Sequence, residues 1–458
     1  MKIKFGTDGF RGIIGKDFTF DNAIAVTART LKYFKDKNAK SVAIGYDTRF
    51  LSPEIAHEIA EYAKNAGFDV FVSKSFCPTP MLSLFTKLKA DFGIMITASH
   101  NPPVYNGIKI KEKFGGSALS ETVEKIAKSS SIKPSLCKGK IKIVDFSEYY
   151  VKYLHKKGIL QSLKNTKTAI LVNPMYGSSQ GVLKKIFFDT SVNITEINNY
   201  RNPSFGDINP EPTEENLKYM FDIVREGKFN IAFAYDGDGD RIACLDKEGY
   251  FYSSQKIIPI FLEYLIEHKK IRGSVIKTVS VSSIVDKIAK KNNLNIYEVP
   301  IGFKNIVPYI LREKIIIGGE ESGGIYINGY IPERDGIFCS LIMLEVLNHY
   351  KKDLHQIWQD IEDKYGSHVF KRKDYYFSDY EKLKEFMSNV DFDVVLDNKV
   401  VSKNFLDGRK FIFRDGFLLI RLSGTEPVLR VYVESVSEDK VDEIFNYVGK
   451  KLKSAEIR

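Results

Sequence analysis

The chain has 458 residues, 43% hydrophobic and 28% charged, with a formal net charge of +10. That much apolar material fills several buried cores and excludes a disordered chain. The 68 basic residues are interspersed with 58 acidic ones, and no tract holds five basic residues together, so the positive excess reads as a mixed solvated surface and not as a nucleic-acid stripe.

Met1 to Thr7 carries no apolar h-region, which predicts no signal peptide. Ser41 to Tyr46 reads as a strand. Ser52-Pro53 then supplies an N-cap and first-turn pair for a helix running to about Asn65 and stopped by Gly67, with Ile55, Ile59 and Tyr62 on one core-facing stripe. Lys133 to Lys142 reads as a join. Ala169–Val172, Ile231–Ala234, Val275–Thr278 and Ile315–Ile317 are further short apolar strands, and the pattern predicts helices over 256–268, 282–292 and 337–350. A second join falls near Asp246 to Ser253 and a third, basic and aromatic, at 365–375. After it, Leu418–Ile420 and Leu429–Val433 read as antiparallel strands followed by a helix over 438–452. The alternation predicts parallel or mixed sheets covered by helices, ending in a smaller α+β region. No uncharged apolar run approaches the ~20 residues of a membrane span, and Glu263 breaks the longest one, Ile257 to Ile266. Cys77, Cys137, Cys244 and Cys339 are too scattered for a metal pattern or a disulfide framework, which points to a reducing cytoplasm.

Four apolar strands each lead into a polar loop, where sites of such sheets lie. Phe92 to Ile96 leads into Thr97-Ala98-Ser99-His100-Asn101-Pro102-Pro103, with Lys109 ten residues past the serine. The prolines prevent the chain from continuing as strand or entering a helix, so the hydroxyl of Ser99 is presented on a rigid loop. Given an activating partner it is a nucleophile; without one it is turn chemistry. Ile231 to Ala234 leads into Asp236-Gly237-Asp238-Gly239-Asp240. Three carboxylates this close repel unless a cation neutralises them, and hard oxygen donors favour Mg²⁺ or Ca²⁺ over zinc. There is no glutamate at the twelfth loop position, so this is no EF-hand; the bland alternative is an acidic turn. Ile315 to Ile317 leads into Gly318-Gly319-Glu320-Glu321-Ser322-Gly323-Gly324, whose polar groups suit sugar hydroxyls. Leu418 to Ile420 leads into Arg421-Leu422-Ser423-Gly424-Thr425-Glu426-Pro427, with Arg430 beyond, and suits a phosphate.

With Gly6-Thr7-Asp8-Gly9-Phe10-Arg11-Gly12 ahead of them, these loops resemble, in order and over the whole chain, the α-D-phosphohexomutase family, which includes phosphoglucomutase and phosphomannomutase. The resemblance implies three α/β domains with mixed sheets plus a smaller C-terminal α+β domain around a central cleft. They would be residues 1–140 with the phosphoserine loop, 141–250 with the metal loop, 251–366 with the sugar loop and 367–458 with the phosphate loop. It implies that Ser99 carries the phosphoryl group and that Ser99, Asp236, Asp238 and Asp240 hold Mg²⁺. Lys109 and His100 match acid/base and phosphate-contact groups, and Arg11 and Arg241 match basic residues at the reaction centre. Glu320 and Ser322 match the residues that grip sugar hydroxyls. Arg421, Ser423, Gly424 and Thr425 match the clamp on the phosphate not being transferred, with Arg430 nearby. Lys277, Gly302 and Lys304 fall near cleft positions. Gly324 and Ile301 depart from the residues common in relatives, histidine and threonine.

The implied activity interconverts hexose 1-phosphate and hexose 6-phosphate through phosphoserine and a 1,6-bisphosphate, which also acts as activator. Glucose is expected and mannose possible in principle, since Glu321 stands where the glucosamine branch usually has glutamine. Phosphoglucosamine mutase and a metal-dependent sugar-phosphate phosphatase are the alternatives. The expected partners are phosphorylated hexoses, with no nucleic acid and no membrane; the expected protein is a cytoplasmic monomer or dimer, and its positive excess would steer anionic substrates.

Overall fold

The computed structural model describes residues 9–164, 166–377, 380–423 and 428–454. The chain falls into two compact units. The first takes the residues up to Ser254 with Val307–Glu313 and Ser322–His355; the second takes Gln255–Ile306, Lys314–Glu321 and the chain from Gln356.

The first unit holds two mixed sheets. In one, the strands lie in the order Gly9–Ile13, Tyr105–Glu112, Phe92–Ile96, Ser41–Tyr46, Asp69–Ser73, Ile141–Val144. The last four run parallel, and Tyr105–Glu112 pairs antiparallel with both its neighbours. The central strand Phe92–Ile96 is buried at every residue, which is why it reads as a continuous apolar run. Helices Phe20–Asp36 and Ser52–Asn65 cover the sheet, and Phe34 stacks on Phe92 with ring centroids 4.1 Å apart. The second sheet runs Phe251–Tyr252, Ile242–Asp246, Ile231–Tyr235, Thr168–Asn173, Val192–Glu196. Its core includes Leu171, Leu217, Met220, Val224 and Ala232. Each such side chain fully buried contributes about 1.5–3 kcal/mol for the larger aliphatics.

In the second unit Ile296–Val299, Ser274–Thr278 and Ile315–Gly319 run parallel. An antiparallel sheet follows, in the order Val369–Tyr376, Val428–Ser435, Gly416–Leu422, Arg409–Phe413, Ser402–Asn404. Helices Tyr380–Asn389 and Glu438–Ser454 bury Leu383, Val441, Ile444 and Val448 against one face. The other face packs Phe417, Leu419 and Tyr432 on Val279 and Ile301.

Two local expectations change. Ser52 is not an N-cap: Leu51, at φ 62°, holds that position without a side-chain bond, and Ser52 Oγ instead donates to Asp47 Oδ1 at 2.8 Å. The hydroxyl goes to a buried carboxylate that has stronger need of a donor than the helix end does. The 365–375 join is largely the strand Val369–Tyr376, whose Lys-Arg-Lys-Asp run is the polar pattern of a sheet edge. Cys77, Cys244 and Cys339 are buried free thiols and Cys137 is exposed. Among the described residues no helix is long and apolar enough to cross a membrane.

Candidate active site

The strand Phe92–Ile96 delivers Ser99 to its site, and two buried groups hold it there. Thr97 Oγ1 donates to Asp47 Oδ2 at 2.6 Å and accepts from Ser99 N at 2.8 Å. The buried Arg49 guanidinium donates to the carbonyls of Ser99, Asn101, Pro102 and Tyr105 at 2.6–2.9 Å. Ser99 itself sits at φ 56°, a left-handed conformation that costs on the order of 1–3 kcal/mol in a non-glycine residue and persists only where the surroundings impose it.

The hairpin from Ile231–Tyr235 to Ile242–Asp246 brings the aspartate loop to the same place. Ser99 Oγ donates to Asp236 Oδ2 at 2.8 Å. Gly237 is glycine because its backbone passes close to Ser99: a Cβ there would lie 2.6 Å from the Ser99 carbonyl oxygen. Lys109 comes from the strand beside Phe92–Ile96, in register with Met95. Its Nζ donates to Asp238 Oδ2 at 2.5 Å and to Asp240 Oδ2 at 3.0 Å. Arg241 Nη1 donates to Glu211 Oε1 at 2.6 Å, and its Nη2 lies 3.4 Å from His100 Nε2. Arg11, on Gly9–Ile13, reaches Asn101 Oδ1.

The electrostatics follow from burial. Asp236 is pushed well above the usual carboxylate range, first by desolvation and then by Asp240 and Asp238. Burial works the same way on Asp240, but Arg334, Lys109 and Arg241 outweigh it and hold its carboxyl low. Burial would lower Lys109; Asp238 and Asp240 outweigh it and keep the ammonium protonated. His100 is held well below its ordinary value by burial, Arg241 and Arg11, and so is neutral.

The donor set fits a hard divalent cation. The three aspartates each offer an oxygen within 4.8 Å of the others, and Oδ1 of Asp238 and of Asp240 are buried without a protein partner. All these donors are oxygens, none nitrogen or sulfur.

Ser99, His100, Lys109, Arg11, Asp236, Asp238, Asp240 and Arg241 are thus brought together in the first unit, where Ser322 also lies, half-buried. The second unit gathers others. Gly302 N donates to Glu320 Oε1 at 3.0 Å. Asp407 accepts from Ile301 N at 2.8 Å through one oxygen and from Arg421 Nε at 2.8 Å through the other. Arg421 and Arg430 face each other across the strand pair. Ser423 N donates to the carbonyl of Val428 at 2.8 Å, and Lys304 is half-buried in the turn Phe303–Asn305. Lys277 is buried and turned into its own network of Asp286, Glu298 and the carbonyls of Val281 and Ser282. Gly424 and Thr425, with Gly6 to Asp8, lie outside the described residues.

Sequence reading missed Arg334, Glu211, Thr79 and the Asp47–Arg49 pair. Thr79 Oγ1 donates to Asp238, and Arg334 Nη2 donates to Asp240 Oδ2 at 2.6 Å. One signal was present: Asp47-Thr48-Arg49 is a polar trio directly after the strand Ser41–Tyr46.

Comparison with known proteins gives the family and the fold. Models of the phosphoglucomutase/phosphomannomutase domains match in order: α/β/α domain I at residues 2–133, domain II at 148–249, domain III at 253–365 and the C-terminal domain at 382–450. The chain is 28% identical over 459 residues to a phosphoglucomutase/phosphomannomutase of Thermococcus kodakarensis, covering 98% of each. It is 30% identical over 462 residues to a phosphoglucosamine mutase of Methanococcus maripaludis, covering 97% of each. The structure of a putative phosphomannomutase from Thermus thermophilus superposes with a TM-score of 0.87 at 29% identity, over 99% of both chains. The chain belongs to the phosphoglucomutase/phosphomannomutase family of α-D-phosphohexomutases, isomerases of carbohydrate metabolism.

Proposed function

We propose that this protein interconverts glucose 1-phosphate and glucose 6-phosphate, with mannose phosphates as weaker substrates, through phosphorylated Ser99 and a hexose 1,6-bisphosphate. The observation that carries the reading is the buried Ser99 hydroxyl held by Asp236 beside Lys109 and two further aspartates. A structural serine has no need of such a constellation.

In the forward step a hydroxyl of the hexose monophosphate attacks phosphorus, its O–P bond forms, and the bond from phosphorus to Ser99 Oγ breaks. The proton lost by the sugar hydroxyl and the one regained by Ser99 pass through Lys109 and His100. Lys109, held protonated on Asp238 and Asp240, is placed to supply positive charge and a proton, and neutral His100, whose Nε2 faces Arg241 Nη2, is placed to accept one when that contact opens. Arg11 and Arg241 supply fixed positive charge for the phosphoryl oxygens. The triad with Ser99 would hold Mg²⁺, whose chemistry is neutralisation of the transferring group. After the bisphosphate turns over, its other phosphate returns to Ser99, and the added bisphosphate primes unphosphorylated enzyme. For the second unit we assign Glu320, with Gly302 and Lys304, to sugar hydroxyls, and Arg421, Ser423, Thr425, Gly424 and Arg430 to the standing phosphate. Ser322 in the first unit shares the sugar role. The division at 1–140, 141–250, 251–366 and 367–458 follows these loops.

Sugar preference rests on Glu321. Its Oε1 lies 3.7 Å from Arg372 Nη1, so the carboxylate is already engaged by a cation. Purified protein with Mg²⁺ and a trace of glucose 1,6-bisphosphate is assayed on glucose, mannose and glucosamine 1-phosphates. The highest kcat/KM on glucose 1-phosphate supports the reading. A preference for glucosamine 1-phosphate replaces it with the glucosamine branch, and release of inorganic phosphate in step with substrate loss replaces it with a phosphatase.

A further inference from the structure

The segment Glu333-Arg334-Asp335-Gly336 lies against the aspartate loop, and each of its residues is buried. Gly336 N donates to the Gly239 carbonyl at 3.1 Å. Glu333 accepts from Ser83 Oγ at 2.9 Å and from the buried Lys111, which lies two residues beyond Lys109 on the same face of its strand. Asp335 accepts from the hydroxyls of Tyr150 and Tyr330 at 2.7 Å each and caps the helix Gly336–Tyr350 through Phe338 N at 2.9 Å. Two anchored carboxylates therefore flank Arg334 and fix its backbone.

The Arg334 side chain runs past Gly324. A Cβ on Gly324 would lie 2.2 Å from Arg334 Cδ and 3.1 Å from Cγ. Those atoms are mid-chain, so the arginine runs through the volume that any other residue at 324 would fill. Gly324 is not held at a left-handed φ, so backbone conformation gives no reason for glycine there; the arginine does. At the end of this course Nη2 meets Asp240 Oδ2 at 2.6 Å, the same oxygen that Lys109 holds at 3.0 Å. Two cations on one oxygen leave Oδ1 as the oxygen with no protein partner.

We propose that Arg334 is a positioning residue of the cation centre: with Lys109 it locks one oxygen of Asp240 so that the other is aimed for a divalent cation, and Gly324 is the residue that makes room for it. The inference rests on the reading of the triad as a cation centre, and it goes further by assigning two residues outside the aspartate loop to cation affinity. Partners that orient a ligand carboxylate in this way are worth about 10–100-fold in affinity. Removing a positive charge would by Coulomb attraction alone tighten cation binding, so the sign of the effect separates positioning from simple charge.

The test is calorimetric titration of Mn²⁺ and of Mg²⁺ into chelator-stripped full-length protein, with near-ultraviolet circular dichroism to report packing. The variants are Asp240→Asn, Arg334→Gln, Gly324→Ala and the double variant. Expected are one site in the parent, its loss in Asp240→Asn, and about ten-fold or greater weakening in each of Arg334→Gln and Gly324→Ala. The double variant should bind no more weakly than the worse single one, because both changes break one contact. If Arg334→Gln does not fold, Gly324→Ala, which keeps the arginine and displaces it, carries the test. Unchanged or tighter binding in Arg334→Gln overturns the proposal, as does a double variant whose losses multiply. A parent that binds no cation, or binds it equally well as Asp240→Asn, overturns the cation-centre reading itself and this inference with it.

Discussion

Ser99 Oγ and Asp236 Oδ2, 137 residues apart in sequence, are joined by a 2.8 Å hydrogen bond inside the first unit. The bond fixes which lone pairs and which face of the hydroxyl are presented, and it does so with a carboxylate that burial and its neighbours hold at an unusually high pKa. A divalent cation at the triad would compete with the serine hydroxyl for the same carboxylate.

Replacement of Ser99 tests the covalent step. Ser99→Ala removes the phosphoryl acceptor and one hydrogen bond and otherwise deletes a single oxygen. Turnover of glucose 1-phosphate should fall by on the order of 10⁴-fold or more, as losses of a nucleophile do. Unfolding midpoints in urea should change little, because a single hydrogen bond contributes about 1 kcal/mol. Near-parental turnover in this variant would remove Ser99 from the mechanism.

Much of this site was legible because its chemistry is local. Strand-end loops carry their own polar residues, so Ser99 and the aspartate triad could be picked out one loop at a time, and Lys109 through its place ten residues past the serine. Arg334 could not: its partner is 94 residues away, and a charged residue ahead of an apolar helix has the same pattern as a helix start. Arg49 is hidden for a different reason, since its four carbonyl contacts involve no partner side chain at all. In the fold, buried parallel strands were readable as apolar runs, while the edge strand Val369–Tyr376 was not, because charged residues dominate it.

The pair Lys111 and Glu333 should behave as a buried ion pair does. Neither side chain has any exposure. Lys111→Met alone leaves the Glu333 charge uncompensated and should cost about 3–5 kcal/mol, whereas adding Glu333→Leu should recover most of the loss. Urea unfolding of the two variants decides it. A single variant as stable as the parent would mean that Ser83 and rearranged neighbours suffice for the carboxylate.

In the second unit Asp407 ties Ile301 N to Arg421. If Arg421 binds a substrate phosphate, Arg421→Ala should lower kcat/KM by about 10–100-fold, the range of a charge-assisted hydrogen bond of 1.5–3 kcal/mol. Asp407→Asn keeps the guanidinium but relaxes its orientation, and its loss should be smaller and appear mainly in KM. Steady-state kinetics on both variants separate the two. Equal losses would show that the aspartate matters for more than orientation.

Asp335 predicts a pH signature of stability. Burial outweighs its hydrogen bonds from Phe338 N, Tyr330 and Tyr150 and raises its pKa from 3.8 to about 6. The folded protein therefore holds this proton more tightly than the unfolded chain does. The resulting stabilisation is fully present below about pH 4 and is lost as pH rises through about 6, for a total of about 3 kcal/mol. Asp335→Asn cannot ionise, and asparagine still caps a helix. The stability difference between variant and parent should shift in the variant's favour by up to that amount between pH 4 and 6.5 and stay level above. Urea midpoints at half-unit steps of pH measure it directly. A difference that is constant across this range would place the Asp335 carboxyl in an environment no more hostile to charge than water.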